Sequence, residues 1–185
     1  MGSYPGDMPE LGLPEIAFVG RSNVGKSSAL NALLHHGIAR VSSRPGRTQT
    51  VNLFKVGTGC VFADLPGYGF AKVPEEVRLL WRPMIDRYLQ LRDALRLVCV
   101  LVDSRITAQE NDRMMIAALL EMQIPTLVLA TKFDTIGKAA RKPTIARLSG
   151  ELGLPVAAVL PFSSVSREGV DEAWATIEQV VAAKP

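Results

Sequence analysis

The sequence is poor in cysteine and has no long apolar run. Its two cysteines, Cys60 and Cys99, both lie in strand-like segments, and two buried thiols in a large core favour a reducing compartment over a disulfide framework. The longest apolar runs, such as residues 97–102, are far too short to cross a membrane. Residues 1–14 have neither the basic start nor the apolar core of a signal peptide. We therefore expect a cytoplasmic protein without a membrane partner, or an organelle matrix or stroma protein if a targeting peptide has been removed.

Strong charge of either sign is also lacking, since the formal net charge of the 185 residues is only +3. This balance is compatible with an RNA partner but does not indicate one. An apolar fraction of 48% beside 21% charged residues is typical of a globular protein. We expect a flexible lead-in over residues 1–14 and one compact domain over residues 15–185. No segment indicates oligomerisation, so we expect a monomer.

Apolar strand-like runs alternate with helical patterns along the chain, which predicts an α/β fold. The glycines near residues 57–59 predict a tight turn between two antiparallel strands. We expect a three-layer fold with a mostly parallel six-stranded sheet and one antiparallel strand. The predicted strands cover residues 15–19, 51–56, 60–63, 97–102, 126–130 and 156–160, and the predicted helices cover residues 28–35, 74–92, 108–122, 137–152 (interrupted or restarted at Pro143) and 169–183.

Residues 20–28, the phosphate loop, stand between the first strand and the first helix and read GRSNVGKSS. Strand, Gly-x-x-x-x-Gly-Lys-Ser and helix in this order predict a phosphate-binding loop rather than an ordinary glycine turn. Two glycines allow the backbone to curl around an anion, and its amide groups form a positive concavity. Lys26 is expected to reach the β- and γ-phosphates, and the Ser27 hydroxyl to ligate Mg²⁺. The predicted nucleotide contacts are Gly20, Arg21, Ser22, Asn23, Val24, Gly25, Lys26, Ser27 and Ser28.

The DLPG loop, consisting of Asp64, Leu65, Pro66 and Gly67, follows the third strand. Taken alone, this tetrapeptide is more typical of a plain turn. Behind a phosphate loop, its carboxylate is expected to hold Mg²⁺ through water and the Gly67 N–H to face a γ-phosphate. A long polar loop at residues 37–48 supplies a third metal ligand in this scheme. Gly46, Arg47 and Thr48 are the predicted contacts, Thr48 ligating Mg²⁺; Thr50 is the rival, and a turn threonine is the alternative.

Two further loops predict recognition of a guanine base. The base loop, consisting of Thr131, Lys132, Phe133 and Asp134, follows a strand. The Asp134 carboxylate can accept hydrogen bonds from the guanine N1–H and amino groups, which adenine lacks, and the Lys132 stem can pack on the base. In isolation, a loop lysine and a helix N-cap aspartate would be the simpler explanation. The serine loop, consisting of Phe162, Ser163 and Ser164, follows the last strand and is expected to offer backbone amides to the guanine O6.

In this order, GRSNVGKS, RPGRTQ, DLPGYG and TKFD resemble the P-loop GTPases, in particular the TrmE-Era-EngA-EngB-Septin-like group. Four strings, PEIAF, RPGRTQ, DLPGYGFAKV and LVDSR, resemble the EngB (YihA/YsxC) family of ribosome-biogenesis GTP-binding proteins from about residue 14 onwards. The resemblance implies a Ras-like fold for the G domain at residues 15–185 and binding of GTP or GDP with Mg²⁺. It also implies slow GTP hydrolysis as a molecular switch in assembly of the large ribosomal subunit (rRNA and ribosomal proteins), with roles in septation and cell division.

One position departs from Ras-type enzymes, because Tyr68 stands where they carry the glutamine that orients water. We therefore expect slow unaided hydrolysis, with Lys26, Thr48, Gly67 and Asn23 as the catalytic candidates. Similar GTPases with an asparagine at the place of Asn23 use it to hold K⁺ against the phosphates, so K⁺ is a hypothetical second cation. Two other functions stay open: an ATP-using P-loop enzyme, which the base loop disfavours, and an RNA- or ribosome-binding module that nucleotide only stabilises.

A basic segment after the DLPG loop is a candidate rRNA surface. Arg78 and Arg82 are one helical turn apart and share a face, and a solvated helix face balanced by acidic residues is the alternative. Trp81, Leu89 and Leu91 are predicted to be core or interface residues rather than base-stacking groups. The basic set is Lys72, Arg78, Arg82, Arg87, Arg92 and Arg96.

Overall fold

The computed structural model describes residues 11–34, 51–57, 59–68 and 75–183, with side chains left out at 75–82. Six strands in this part form one sheet in the order β2-β3-β1-β4-β5-β6. Strand β2 runs antiparallel to β3, and the other neighbouring pairs are parallel. The strands are β1 (Glu15–Gly20), β2 (Asn52–Val56), β3 (Cys60–Asp64), β4 (Leu95–Asp103), β5 (Thr126–Thr131) and β6 (Val159–Pro161).

Five α-helices of the described ranges cover the two faces of the sheet: α1 (Lys26–Leu33), α2 (Glu75–Leu91), α3 (Glu110–Glu121), α4 (Arg141–Leu152) and α5 (Val170–Ala182). Apolar side chains of α1 and α5 pack on one face, and those of α2, α3 and α4 pack on the other. Central strands β1 and β4 are buried on both faces, which explains their continuous apolar sequences. The predicted three-layer, mostly parallel six-stranded fold with one antiparallel strand is confirmed.

The last strand differs from the prediction. Residues 156–158 form a single 3₁₀ turn after Pro155, in which the Ala158 N–H donates to the Pro155 carbonyl, and β6 is only Val159–Pro161. The sequence VAAVL has strand composition, but a proline at its start favours a turn. The helix restart predicted at Pro143 is confirmed, because a 3₁₀ turn precedes α4 and Pro143 lies in the first turn of that helix, where no amide is needed.

A buried ionic cluster fixes the end of α2 to the start of β1, away from the carboxyl ends of the strands. Glu15 is 0% exposed and accepts hydrogen bonds from Arg92 Nε (2.9 Å), Arg92 Nη2 (2.7 Å) and the Tyr88 hydroxyl (2.7 Å). Arg92 itself is 9% exposed. Its prediction as part of an rRNA surface is therefore wrong, because its charge is committed to the fold.

The other predicted members of that basic segment divide among several environments. Arg87 is exposed, and Arg96 donates to the carbonyl oxygens of Asp93 and Leu95. Lys72 and the side chains of Arg78, Arg82 and Trp81 lie outside the described residues. Leu89 is buried, as predicted for a core residue, whereas Leu91 is 60% exposed and is not part of the core.

Both cysteines are buried free thiols, as the sequence predicts. Burial raises the pKa of Cys99 well above its usual range, and it also raises the pKa of Cys60. A low thiol pKa is what makes cysteine reactive, so these side chains act as small core residues. Among the helices of the described ranges, none has the length and apolar character needed to span a bilayer.

Candidate nucleotide-binding site

The parallel register brings the predicted loops to one edge of the sheet. Phe18 of β1 pairs with Asp64 of β3, and Asp103 of β4 pairs with Thr131 of β5. The phosphate loop, the DLPG loop, the base loop and the serine loop therefore all leave from the carboxyl ends of strands, where ligands bind in open α/β sheets. Gly46, Arg47, Thr48 and Thr50 lie outside the described residues.

The phosphate loop needs its two glycines for different reasons. A Cβ at Gly20 would lie 2.9 Å from the Leu101 carbonyl oxygen and 3.0 Å from Val24 Cγ1, so no side chain fits there. Gly25 has a φ of +104° immediately before α1, a backbone conformation that favours glycine. The N-cap residue of α1, Gly25, has no side chain with which to cap the first turn, and uncapped amide groups at a helix start are suited to an anion.

Lys26 and Asp64 meet across this edge of the sheet. Lys26 Nζ forms an ion pair with Asp64 Oδ1, and both side chains are only slightly exposed. Ser27 lies one residue further, in the first turn of α1. A hydroxyl and a carboxylate are hard oxygen ligands, and Mg²⁺ commonly takes one or two protein ligands together with phosphate oxygens and water. The Ser27 and Asp64 donor set fits that mode, and no cluster of three His, Cys, Asp or Glu ligands occurs in the described part of the chain.

The phosphate loop also contains a buried hydroxyl group. Ser22 Oγ is buried and has no hydrogen-bond partner among the described residues. An unpaired buried hydroxyl is unfavourable, so a polar ligand in the concavity would satisfy it. Asn23 and Ser28 are exposed, and Val24 is buried against Gly20. The predicted contacts of this loop thus include exposed, partly buried and fully buried side chains.

Backbone hydrogen bonds hold the DLPG loop and the following Tyr68 against β1 and the start of the phosphate loop. The Leu65 N–H donates to the Phe18 carbonyl (3.0 Å), and both Leu65 and Pro66 are buried. The Tyr68 N–H donates to the Gly20 carbonyl (3.2 Å). A Cβ at Gly67 would lie 3.2 Å from the Gly20 carbonyl oxygen, a close approach that explains the glycine. The two loops predicted to face the phosphates are therefore in direct contact.

The side chain of Tyr68 is turned towards helix α3. Its hydroxyl donates to Asp112 Oδ1 at 2.9 Å. Burial, and then the Asp112 carboxylate, raise the pKa of Tyr68 well above its usual range. The phenol is therefore a permanent hydrogen-bond donor to α3.

The base loop is bonded to the phosphate loop at two points. The buried Thr131 hydroxyl donates to the Val24 carbonyl (2.7 Å), and Lys132 Nζ donates to the Asn23 carbonyl (2.8 Å). Lys132 has a φ of +59° and Asn23 a φ of +62°, so both reach this contact from left-handed backbone. Thr131, which the sequence assigns to nucleotide binding, serves here to join the two loops.

Asp134 and the serine loop are also brought together. The Ser163 hydroxyl donates to Asp134 Oδ1 (2.6 Å), and the Asp134 side chain is exposed. The amides of Phe162 and Ser163 already donate to the carbonyls of Ala130 and Glu168. The structure describes no partner for the Ser164 amide, so the predicted contact with a guanine O6 narrows to that residue.

The buried Phe133 ring supports this corner of the site. The Phe133 N–H donates to the Phe162 carbonyl (3.1 Å), and the Arg141 guanidinium lies 5.0 Å from the centre of the Phe133 ring. Arg141 also forms a bidentate ion pair with Glu168. The first of these contacts joins the base loop directly to the serine loop.

Asp103 is a site residue to which the sequence analysis assigned no role. Its carboxylate accepts from Lys132 Nζ (2.9 Å) and from Arg105 Nε (2.9 Å) and Nη2 (2.8 Å). Burial alone would raise the pKa of Asp103, but the hydrogen bonds from Arg105 and Lys132 outweigh it and lower the pKa well below its usual range. Asp103 ends the buried strand β4, and a polar residue at the carboxyl end of a strand is the sequence feature that could have identified it as a site residue.

The comparisons with known proteins agree with this geometry. Residues 15–132 match the family model described as "50S ribosome-binding GTPase". A "Probable GTP-binding protein EngB" from Geobacter sulfurreducens is 47% identical over 182 residues, which cover 98% of this chain and 88% of that protein. The chain belongs to the EngB family. A further EngB relative, from Levilactobacillus brevis, is 43% identical over 176 residues, 94% of this chain and 89% of that protein.

Solved structures show the same fold as this EngB-family chain. A "probable GTP-binding protein engB" aligns with a TM-score of 0.76 and 24% identity, covering 90% of this chain and 98% of that one. Era in complex with MgGDPNP and nucleotides 1506–1542 of 16S ribosomal RNA aligns with a TM-score of 0.71 and 22% identity, covering 94% of this chain and 58% of Era. The resemblance to EngB and to the Ras-like P-loop GTPase fold is thereby confirmed.

Proposed function

We propose that this EngB-family protein binds GTP and GDP with Mg²⁺, hydrolyses GTP slowly, and acts as a switch in assembly of the large ribosomal subunit. The observation that carries the nucleotide site is the pair of bonds from Thr131 and Lys132 to the backbone of the phosphate loop. They set a phosphate-binding concavity and a guanine-selective carboxylate in one rigid frame. A bound guanine nucleotide spans the two.

The phosphates lie in the concavity of the phosphate loop in this proposal. Its backbone amides and Lys26 contact the phosphate oxygens, and the Gly67 N–H faces the γ-phosphate. Ser27 and Asp64, completed by Thr48, would hold Mg²⁺, which supplies neutralisation of the phosphate charge. Lys26 Nζ lies against Asp64, so in this proposal the phosphate oxygens compete with that carboxylate for the ammonium.

Asp134 selects the base by accepting two hydrogen bonds from guanine. The Ser163 hydroxyl occupies one position on Asp134 Oδ1, and each carboxylate oxygen has a second lone pair for the base. Ser163 also accepts from the amides of Val165 and Ser166. The carboxylate is therefore oriented before the nucleotide arrives, which reduces the entropy lost on binding.

Ras-type enzymes carry a glutamine that orients the attacking water, and this protein has Tyr68 at that position. The Tyr68 hydroxyl is bonded to Asp112, so a water molecule must be oriented by other groups. We propose that the exposed Asn23 helps to hold K⁺ beside the phosphates and that K⁺ replaces an arginine finger. Single-turnover hydrolysis measured in KCl and in NaCl, with and without large ribosomal subunits, tests this step. Equal rates in the two salts would refute it.

The ribosomal role is supported by the description of the matching family model as a 50S ribosome-binding GTPase, because 50S is the large subunit. We propose that GTP orders the DLPG loop and the loop of Thr48 into a surface for the large subunit, and that hydrolysis releases it. Co-sedimentation with isolated large subunits should be stronger with a non-hydrolysable GTP analogue than with GDP. Equal co-sedimentation in both nucleotide states would contradict the switch.

A second function is favoured by one observation, the commitment of Tyr68 to α3. A module that binds the ribosome and is only stabilised by nucleotide would also lack a water-orienting side chain. Single-turnover hydrolysis in the presence of large subunits separates the two. A rate no higher than that without protein would favour the binding module.

The first experiment is equilibrium binding of fluorescent GDP and GTP analogues with Mg²⁺ to the wild type and Asp134→Asn. The variant presents an amide where guanine requires an acceptor, so it should lose guanine nucleotides and gain xanthine nucleotides. Asp93→Asn, a change of an exposed aspartate in the turn between α2 and β4, is the matched control and should bind like the wild type. Absence of guanine binding by the wild type, or normal binding by Asp134→Asn, would overturn the proposal.

A further inference from the structure

Tyr68 is held at three points, although it directly follows the loop that is expected to sense the γ-phosphate. Its N–H donates to the Gly20 carbonyl and its carbonyl accepts from the Ser22 N–H, both at 3.2 Å. Its hydroxyl donates to Asp112 at 2.9 Å. Two of these bonds join Tyr68 to the phosphate loop, and the third joins it to helix α3.

Asp112 is a rigid anchor for that third bond. It is 2% exposed and stands at the third position of α3, in a capping box with Gln109. Its Oδ2 accepts from the Gln109 N–H at 3.0 Å, and its Oδ1 accepts from Tyr68. Since each carboxylate oxygen has a partner, the start of a helix fixes where the Tyr68 hydroxyl can lie.

Gly67 has no side chain with which to fix its own position. Its backbone lies so close to Gly20 that a Cβ would be 3.2 Å from the Gly20 carbonyl oxygen. Whatever holds Tyr68 therefore also holds the Gly67 amide against the phosphate loop. A backbone amide contributes to binding only when it is presented in the right place, so the anchoring bond has a functional consequence.

We propose that Tyr68 and Asp112 are positioning residues for the γ-phosphate: through the hydroxyl–carboxylate bond they hold the Gly67 amide where GTP, but not GDP, needs it. This inference rests on the proposed function. It also gives a reason for the departure from glutamine at this position, because the side chain is used to fix the loop and not to orient water. Removing this bond leaves only the two backbone hydrogen bonds to hold Tyr68. The Gly67 amide is then presented less firmly to a third phosphate, and contacts to the first two phosphates are spared.

The test compares Tyr68→Phe with Tyr88→Phe in the full-length protein. Each change removes one hydroxyl that donates to a buried carboxylate: Asp112 for Tyr68, and Glu15 at the other end of the sheet for Tyr88. Dissociation constants for GDP and for a non-hydrolysable GTP analogue are measured with Mg²⁺ on each protein. For Tyr68→Phe, we expect an unchanged GDP affinity and a GTP-analogue affinity lower by about threefold to tenfold, the effect of one net hydrogen bond.

The control separates positioning from loss of stability. Tyr88→Phe should leave the ratio of GTP-analogue affinity to GDP affinity at the wild-type value. Two results would overturn the inference and leave the guanine site standing. One is an unchanged ratio of GTP-analogue affinity to GDP affinity in Tyr68→Phe, and the other is the same change of that ratio in Tyr88→Phe. Failure of the wild type to bind either nucleotide would overturn the proposed function instead, and the inference with it.

Discussion

Replacing Arg92 by methionine should destabilise the protein strongly, because it leaves the Glu15 carboxylate buried without its cation. Arg92 donates two hydrogen bonds to a side chain that is 0% exposed. At the 2.7 Å separation and an effective dielectric constant of about 20, the Coulomb attraction is about 6 kcal/mol. Removing Arg92 also relieves the desolvation of its own charge, so we expect a loss of about 3–5 kcal/mol. Whole domains of this kind are stable by about 5–15 kcal/mol.

Urea unfolding followed by far-UV circular dichroism measures this loss directly. Arg87→Met, at an exposed arginine on the same helix, is the matched control and should change the free energy of unfolding by no more than about 0.5 kcal/mol. Glu15→Gln combined with Arg92→Met removes both charges and keeps an acceptor for the Tyr88 hydroxyl. This double variant should be more stable than Arg92→Met alone.

Two results would refute the reasoning. The first is a loss below about 1 kcal/mol for Arg92→Met, which would mean that the ion pair contributes no more than an exposed one. The second is a double variant as unstable as Arg92→Met alone, which would assign the loss to packing of the arginine stem rather than to an unpaired charge.

Two further predictions concern the support of the site. Gly169→Ala places a Cβ 1.9 Å from the Pro161 carbonyl oxygen at a φ of +79°, so it should lower the free energy of unfolding by at least about 2 kcal/mol. Gly150→Ala, in α4 with open space around it, should instead raise that free energy by up to about 1 kcal/mol; similar urea midpoints for the two variants would contradict this. Because the pKa of Asp103 is lowered in the fold, its stabilisation is fully present above about pH 5 and is lost as pH falls below about 4. The difference in unfolding free energy between wild type and Asp103→Asn should therefore shrink between pH 5 and pH 3 in urea titrations, and a constant difference would refute the assignment.

The parts of the site that sequence predicts are those whose chemistry is local. Gly20 ends β1, and Lys26 and Ser27 begin α1. This is the spacing that a phosphate-binding loop requires. Asp134 likewise is the third residue after the end of β5. The sheet then brings these loops together, because the carboxyl ends of parallel strands lie at the same edge.

Long-range pairing is what the sequence could not supply. Arg92 appeared as one cation in a basic run, and its partner Glu15 is 77 positions away. Tyr68 was recognised as a departure from glutamine, yet its bond to Asp112, 44 positions later, follows only from the packing of α3. Whether a charged side chain stabilises the fold or lies on the surface depends on its burial and on its partner. Residue type and sequence spacing reveal neither.

The hydrogen bonds from Thr131 and Lys132 to the phosphate loop fix the distance between the base loop and the phosphate loop. Because the two ends of the proposed site are bonded to each other, neither end can adjust alone to a ligand of another length. GDP should bind far more tightly than either guanosine or pyrophosphate offered as a separate molecule. In GDP the two groups are linked, so the second contact is intramolecular. The proposed site would thereby select a ligand by the distance from base to phosphate as well as by the chemistry of each.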